Sequence, residues 1–218
     1  MFRFAFSILL IMVAFVASCA KPMMGVPKAM TEPPVIMEKT TPGWGELDAK
    51  VLEGIEKKVY PGAVLVVGQP GRIIWAKAYG AKTYDAAAEP MTLDSIFDLA
   101  SVSKVAGTAT AALLLIDDGI VSLDDPVSKY VPGFEQGGKE SVTVKDLMTH
   151  VSGLKPYASK DLVEETRQEG ETQADALIRY YSALEVAYEP RTETRYSCLN
   201  FQTLARLVEN ASGQRMED

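Results

Sequence analysis

Ser101 and Lys104 could form a catalytic pair in this chain of 218 residues. A helix turns once in about 3.6 residues, so a serine and a lysine three positions apart lie on one face. The apolar run 105–116 follows them and predicts a helix buried in the middle of its domain. There, a lysine that desolvation has deprotonated could activate the serine as a nucleophile, and the helix N-terminus favours developing negative charge. The four-residue pattern alone recurs by chance and favours a solvent-facing pair, so the rest of the chain must decide.

Composition limits the class of protein. The chain is 47% hydrophobic and 23% charged, which is typical of a globular protein with enough apolar residues for a core. The net charge is -7 without a long basic run, which argues against a nucleic-acid partner. With one histidine, His150, and two cysteines, a zinc site made of His and Cys ligands is excluded, and we expect neither metal nor other cofactor.

The N-terminus has the form of a secretory signal over residues 1–18, in which Arg3 precedes an apolar run shorter than the about 20 residues of a membrane span. Val16-Ala17-Ser18-Cys19 resembles a bacterial lipobox, in which Cys19 is lipidated; ordinary cleavage beside an incidental cysteine is the alternative. Residue 20 is not Asp, which in a Gram-negative cell implies the outer membrane. We therefore expect a chain anchored through lipid in the cell envelope, at the periplasm or cell surface, with a flexible tether over 19–44. We also expect a monomer.

The elements that position the Ser-Lys pair follow from the pattern of apolar residues. An amphipathic helix is predicted over 46–59, followed by a hairpin of strands 63–67 and 72–78 whose apolar character predicts cover on both faces. The acidic pairs at 117–118 and 124–125 are interpreted as solvated turns and caps. Further helices are predicted over 142–148 with Thr143 as its cap, over 176–187 and over 201–209.

Four features then occur in a fixed order after the hairpin: Ser101-Val102-Ser103-Lys104, Leu123-Asp124-Asp125-Pro126-Val127, His150-Val151-Ser152-Gly153-Leu154 and Tyr196-Ser197-Cys198-Leu199-Asn200-Phe201. Together they resemble the serine β-lactamase and penicillin-binding-protein superfamily, and within it the branch of class C β-lactamases, D-Ala-D-Ala carboxypeptidases and related esterases. The resemblance covers the chain from about residue 44 onward. It implies an α+β fold of the β-lactamase/transpeptidase type over 45–218, made of an N-terminal hairpin and a mostly helical part.

The resemblance also implies roles for individual residues. Ser101 is expected to be the nucleophile that forms an acyl-enzyme, Lys104 to accept or relay its proton, and Tyr196 to be the partner base. The positive charge of Lys104 would favour the ionised tyrosine. A core tyrosine with one satisfied hydroxyl is the alternative for Tyr196. His150 invites a Ser-His-Asp triad, but the chain has no Gly-x-Ser-x-Gly elbow, so we expect a structural role for it.

Two departures from the family pattern shape the expected activity. Cys198 stands where the family has a substrate-binding Asn, and a thiol is a weak donor and acceptor, so an ester or peptide substrate is favoured over a β-lactam. Asn200 is expected to be a helix-start residue rather than a substitute. Family members continue past residue 218 into further strands of the central sheet, so we expect a truncated hydrolase, impaired in folding or activity.

Two further functions remain open at this point. A non-catalytic binding or scaffold protein could use the same fold, since fold does not fix function. A thiol enzyme at Cys198 is weaker, because the one histidine lies in a different motif.

Overall fold

A computed structural model describes residues 43–217 of the chain. These residues form two compact units, which divide between Ile96 and Phe97. The predicted signal over 1–18, the lipidation site Cys19 and the predicted tether up to residue 42 lie outside the described residues. Within the described part, no helix combines the length and the apolar character that crossing a membrane requires.

The first unit contains one helix and one hairpin. Helix α1 spans Trp44–Glu56, and strands β1 (Gly62–Gln69) and β2 (Arg72–Gly80) pair antiparallel, with Val64 opposite Ala78. The register shifts by a bulge between Val67 and Gly68, before the turn. The predicted helix and hairpin are therefore confirmed, although the helix ends three residues before the predicted Val59.

Helix α1 packs on β2 through an aromatic stack and a shared carboxylate. The indoles of Trp44 and Trp75 stack with centroids 4.8 Å apart, and Asp48 accepts hydrogen bonds from Lys77 and Tyr79, each at 2.5 Å. Strand β1 remains half-buried or exposed along its length. The expectation of cover on both faces is confirmed only in part, because the adjacent Trp75 and Ala76 of β2 are both buried, whereas no residue of β1 is fully buried.

The second unit is helical and supplies the larger core. A π-helical segment, Lys104–Ala109, runs into α2 (Thr110–Asp117), and a 3-10 turn covers Val127–Lys129. Four helices follow: α3 (Val144–Met148), α4 (Lys160–Glu165), α5 (Gln173–Ser182) and α6 (Cys198–Ser212). The fully buried residues of the second unit include Phe134, Val144, Leu147, Tyr181, Leu204 and Leu207. Helices together with an antiparallel hairpin confirm the predicted α+β class.

The apolar helix after Ser101 differs from its prediction. Ala112 is fully buried against the core, but Val105 is 67% exposed and Leu114 is 62% exposed. One face packs on α6, while no other helix of the second unit covers the opposite face. The expectation of a helix buried on every side is therefore wrong in this structure. An apolar run indicates that a helix can be buried on all sides, but it does not specify which other elements pack against the helix.

The acidic turn at 124–125 also differs in part from its prediction. Asp125 is largely buried and accepts hydrogen bonds from the Tyr130 hydroxyl at 2.6 Å and from Lys129 at 2.9 Å. These bonds, the one from Tyr130 first, lower the pKa of Asp125 to about 2. The Asp125 carboxylate thus stabilises the turn through hydrogen bonds within the protein rather than facing solvent.

Helix α3 shows how local sequence fixes the segment that leads to His150. Thr143 caps it in a reciprocal box with Asp146, as the sequence predicted. The buried Asp146 carboxylate also accepts a hydrogen bond from Arg191 at 2.7 Å. This ion pair ties the start of α3 to the loop that leads to Tyr196.

Candidate active site

Ser101 lies in a tight turn where the chain enters the helical segment. Ala100, directly before it, has a φ of +43°, which is uncommon for a residue other than glycine. The Ser103 hydroxyl donates to the carbonyl of Ala100 at 2.5 Å, and the Lys104 N–H donates to the carbonyl of Ser101 at 3.1 Å. The turn leaves Ser101 exposed. Backbone held in a sparsely populated region next to a reactive side chain is a known feature of functional sites.

Lys104 reaches back to Ser101, as their spacing predicted. Its Nζ donates a hydrogen bond to Ser101 Oγ at 3.2 Å. Lys104 is also the first residue of the π-helical segment, and π turns inside helices often occur at functional sites.

Tyr196 brings a third group to the same oxygen from 95 positions away in sequence. Its hydroxyl donates to Ser101 Oγ at 2.9 Å, and Lys104 Nζ lies 5.5 Å from the centroid of its ring. Tyr196 is 46% exposed, so it is not a core tyrosine. The structure therefore brings all three predicted catalytic residues together around one hydroxyl.

The charge of Lys104 differs from the first expectation. Partial burial disfavours its charged form, but interactions with Tyr196 and Cys198 outweigh burial, and the net effect raises the pKa of Lys104 above its ordinary value. The expectation of a lysine neutralised by desolvation is thus wrong. A cationic Lys104 can orient Ser101 and stabilise negative charge on Tyr196, so the arrangement favours the tyrosine as the base.

His150 lies behind Tyr196 and has no place in a triad. Its Nδ1 accepts a hydrogen bond from the Ser197 N–H at 3.2 Å and lies 3.1 Å from the Asn200 amide nitrogen. Its ring contacts the rings of Tyr196 and Phe201, with centroid distances of 4.7 and 5.3 Å. Burial, and then the charge of Lys104, lower the pKa of His150. A neutral imidazole in this packed position agrees with the predicted structural role.

Asn200 makes a buried tertiary hydrogen bond in addition to its predicted role as a helix-start residue. It is fully buried in the third position of α6, and its Oδ1 accepts a hydrogen bond from the Ser152 hydroxyl at 2.5 Å. The Ser152 oxygen accepts in turn from the Leu154 N–H at 3.1 Å. Asn200 therefore joins the turn after His150 to α6. The spacing of apolar residues could have predicted the burial of Asn200, because Asn200 shares its helix face with the buried Leu204 and Leu207.

Cys198, the predicted substrate contact, is the first residue of α6 and lies near Lys104. Its side chain is half-buried and interacts with Lys104. It also lines a cavity of about 390 Å³, whose other walls include Tyr157, Val163, Leu177, Leu199 and Gln202. Cys198 is the residue that this cavity shares with the surroundings of Lys104. Among residues 43–217, no group of three or more His, Cys, Asp or Glu side chains could hold a metal ion.

Comparisons with known proteins agree with this arrangement. The family model described as Beta-lactamase matches residues 47–218. The N-acetylmuramyl-L-alanine amidase of Bacillus subtilis (strain 168) is 30% identical over 203 residues, which cover 86% of this chain and 46% of that protein.

Solved structures show the same fold. The D-alanine carboxypeptidase from Burkholderia cenocepacia matches with a TM-score of 0.60 and 28% identity, over 79% of this chain and 45% of that one. The penicillin-binding protein homologue from Pyrococcus abyssi, which is octameric, matches with a TM-score of 0.65 and 26% identity, over 80% and 40% of the two chains. The chain thus spans less than half the length of each of these proteins.

Proposed function

This chain belongs to the beta-lactamase family, and we propose that it works as a serine acyl hydrolase in which Ser101 carries the acyl group. The observation that supports this proposal most strongly is the convergence of Lys104 and Tyr196 on Ser101 Oγ, at 3.2 and 2.9 Å. A serine hydroxyl is a weak nucleophile by itself, and a base within hydrogen-bond reach is what activates it.

In the proposed reaction, Ser101 Oγ attacks the substrate carbonyl and its proton passes to the ionised oxygen of Tyr196. The charge of Lys104 stabilises that oxygen before the transfer. As the tetrahedral intermediate collapses, the leaving group takes the proton from Tyr196 and the acyl-enzyme remains. Water then attacks the ester with Tyr196 again as base, which frees the acid and restores Ser101. The backbone N–H of Ser101 is the proposed donor to the oxyanion.

The proposed substrate class is an alanine-containing peptide or a small ester rather than a β-lactam. Cys198 is a poor hydrogen-bonding partner for a substrate amide, which disfavours tight capture of a β-lactam. Two relatives are named a D-alanine carboxypeptidase and an N-acetylmuramyl-L-alanine amidase, which supports a peptide. The proposed location is the cell envelope, with lipid on Cys19 as the anchor. Cys198 also favours the second candidate function, a non-catalytic binding protein on this fold.

Turnover of p-nitrophenyl acetate and of a peptide ending in D-Ala-D-Ala, measured on the full chain, tests this proposal. Tyr196→Phe should reduce turnover by about a hundredfold or more, since it removes the base. Tyr84→Phe, which changes another exposed tyrosine, is the matched control and should have no effect. Equal rates in wild type and Tyr196→Phe would overturn the assignment of the base. Absence of turnover in a chain that circular dichroism shows to be folded would favour the binding protein.

A further inference from the structure

The protonation state of His150 follows from its hydrogen-bond partners. The backbone N–H of Ser197 can only donate, and it points to Nδ1 at 3.2 Å. Nδ1 must therefore carry a lone pair, and the proton of the neutral imidazole lies on Nε2. The Asn200 amide, 3.1 Å from the same nitrogen, can donate to it as well because its Oδ1 is engaged by Ser152.

The ring of His150 supports Tyr196 from one side. The imidazole contacts the rings of both Tyr196 and Phe201, and both ring planes are tilted 44° to it. The backbone of His150 also fixes the chain before Tyr196, because its carbonyl accepts the Arg195 N–H at 2.9 Å. Three contacts thus connect His150 to the segment 195–197.

Protonation of His150 would disturb these contacts. A proton on Nδ1 would face two hydrogen-bond donors, and the new positive charge would lie near that of Lys104. Among the described neighbours, α6 presents the neutral Asn200 and Phe201 to the ring. Nearby charged groups are engaged in ion pairs of their own: Asp146 with Arg191, and Arg195 with Glu193.

We propose that neutral His150 is the positioning residue that holds Tyr196 against Ser101, and that protonation of His150 releases Tyr196 and silences the site. The effect on Tyr196 stands on the geometry alone, whereas its effect on reactivity rests on the proposed function. His150 would then set the acid limit of activity, although it touches neither the substrate nor Ser101.

The test is an NMR titration of the full chain, in which His150 is the one histidine. Nitrogen-15 shifts of the imidazole should show the Nε2–H tautomer and a midpoint below 6.5. The carbon-13 ring signal of Tyr196, assigned with Tyr196→Phe, should change with the same midpoint. The rate of Ser101 labelling by a fluorophosphonate should fall about tenfold for each pH unit below that midpoint. A Tyr196 signal that is indifferent to the titration of His150 would overturn the inference.

His150→Asn is the conservative variant. Residue 150 has a φ of +60°, which Asn tolerates, and the Asn oxygen can accept from the Ser197 N–H in place of Nδ1. Because Asn lacks the ring that packs against Tyr196, this variant should label more slowly than wild type at neutral pH, but its rate should no longer show the acid limit. Persistence of that limit in His150→Asn would contradict the inference. Coupled NMR titrations without any labelling would refute the proposed function and leave the positioning role supported.

Discussion

The Tyr196 hydroxyl lies 2.9 Å from Ser101 Oγ although 95 positions separate the two residues in sequence. Each partner is fixed by its own local structure. The turn at Ala100 holds Ser101, and the ring of His150 supports Tyr196. The pair is therefore a property of the folded second unit rather than of either motif alone.

Lys104 is predicted to act as a cation. Lys104→Met should slow fluorophosphonate labelling of Ser101 by about a hundredfold, whereas Lys104→Arg, which keeps the charge, should retain part of the rate. Because the pKa of Lys104 is raised above 10.5, the charge it contributes is fully present below that pH and is lost only above it. The labelling rate of wild type should therefore show no loss near pH 8 to 9 that is attributable to Lys104. Equal rates in Lys104→Met and wild type would contradict this role.

Cys198 is predicted to limit reaction with β-lactams. Cys198→Asn supplies an amide donor and acceptor beside Lys104 and should raise the rate of penicillin acylation relative to fluorophosphonate labelling by about tenfold. Cys198→Ser, similar in size to the thiol, is the control and should change this ratio less. Intact-mass analysis over time gives both rates. An unchanged ratio in Cys198→Asn would remove Cys198 from the substrate contacts.

Asp146 is predicted to stabilise the segment that leads to the site. Its carboxylate completes the cap of α3 and pairs with Arg191, so Asp146→Ala should lower the free energy of unfolding by about 2 kcal/mol. Because the Arg191 side chain is half-exposed, the effect should stay below that of a fully buried ion pair. Glu169→Ala, at an exposed position, should change it by less than about 0.5 kcal/mol. Urea denaturation measures both free energies of unfolding, and similar values for the two variants would contradict the stabilising role of Asp146.

Lipidation is predicted at Cys19. A bacterial host fed a radiolabelled fatty acid should incorporate it into the wild-type chain and into Cys198→Ala, but not into Cys19→Ala. The two variants each remove one of the two cysteines, so they separate the sites directly. Incorporation that survives in Cys19→Ala would rule out the anchor proposed here.

The sequence predicted the elements that carry their own local signals. The hairpin was visible from Pro70-Gly71 between two apolar runs, and α3 from its Thr143 cap, because turns and caps depend on neighbouring residues. The Ser101-Lys104 contact was predictable for the same reason, as helix geometry fixes it.

Features that depend on distant residues were harder to predict. The charge of Lys104 was misjudged because Tyr196, far along the chain, favours its protonated form. The cover of the helix after Ser101 was misjudged because an apolar run does not specify the element that packs on it. The network of Asn200 was missed because a helix-start position explained that residue without any tertiary contact.

Intact-mass analysis of the full chain after exposure to a fluorophosphonate would show whether Ser101 is the nucleophile. Ser101→Ala and Ser103→Ala would be treated in parallel, since Ser103 lies in the same turn and its hydroxyl is engaged with the Ala100 carbonyl. A single adduct on wild type and Ser103→Ala, absent from Ser101→Ala, is the predicted result. An adduct that persists in Ser101→Ala, or none on a folded wild-type chain, would contradict the assignment of Ser101 as the nucleophile.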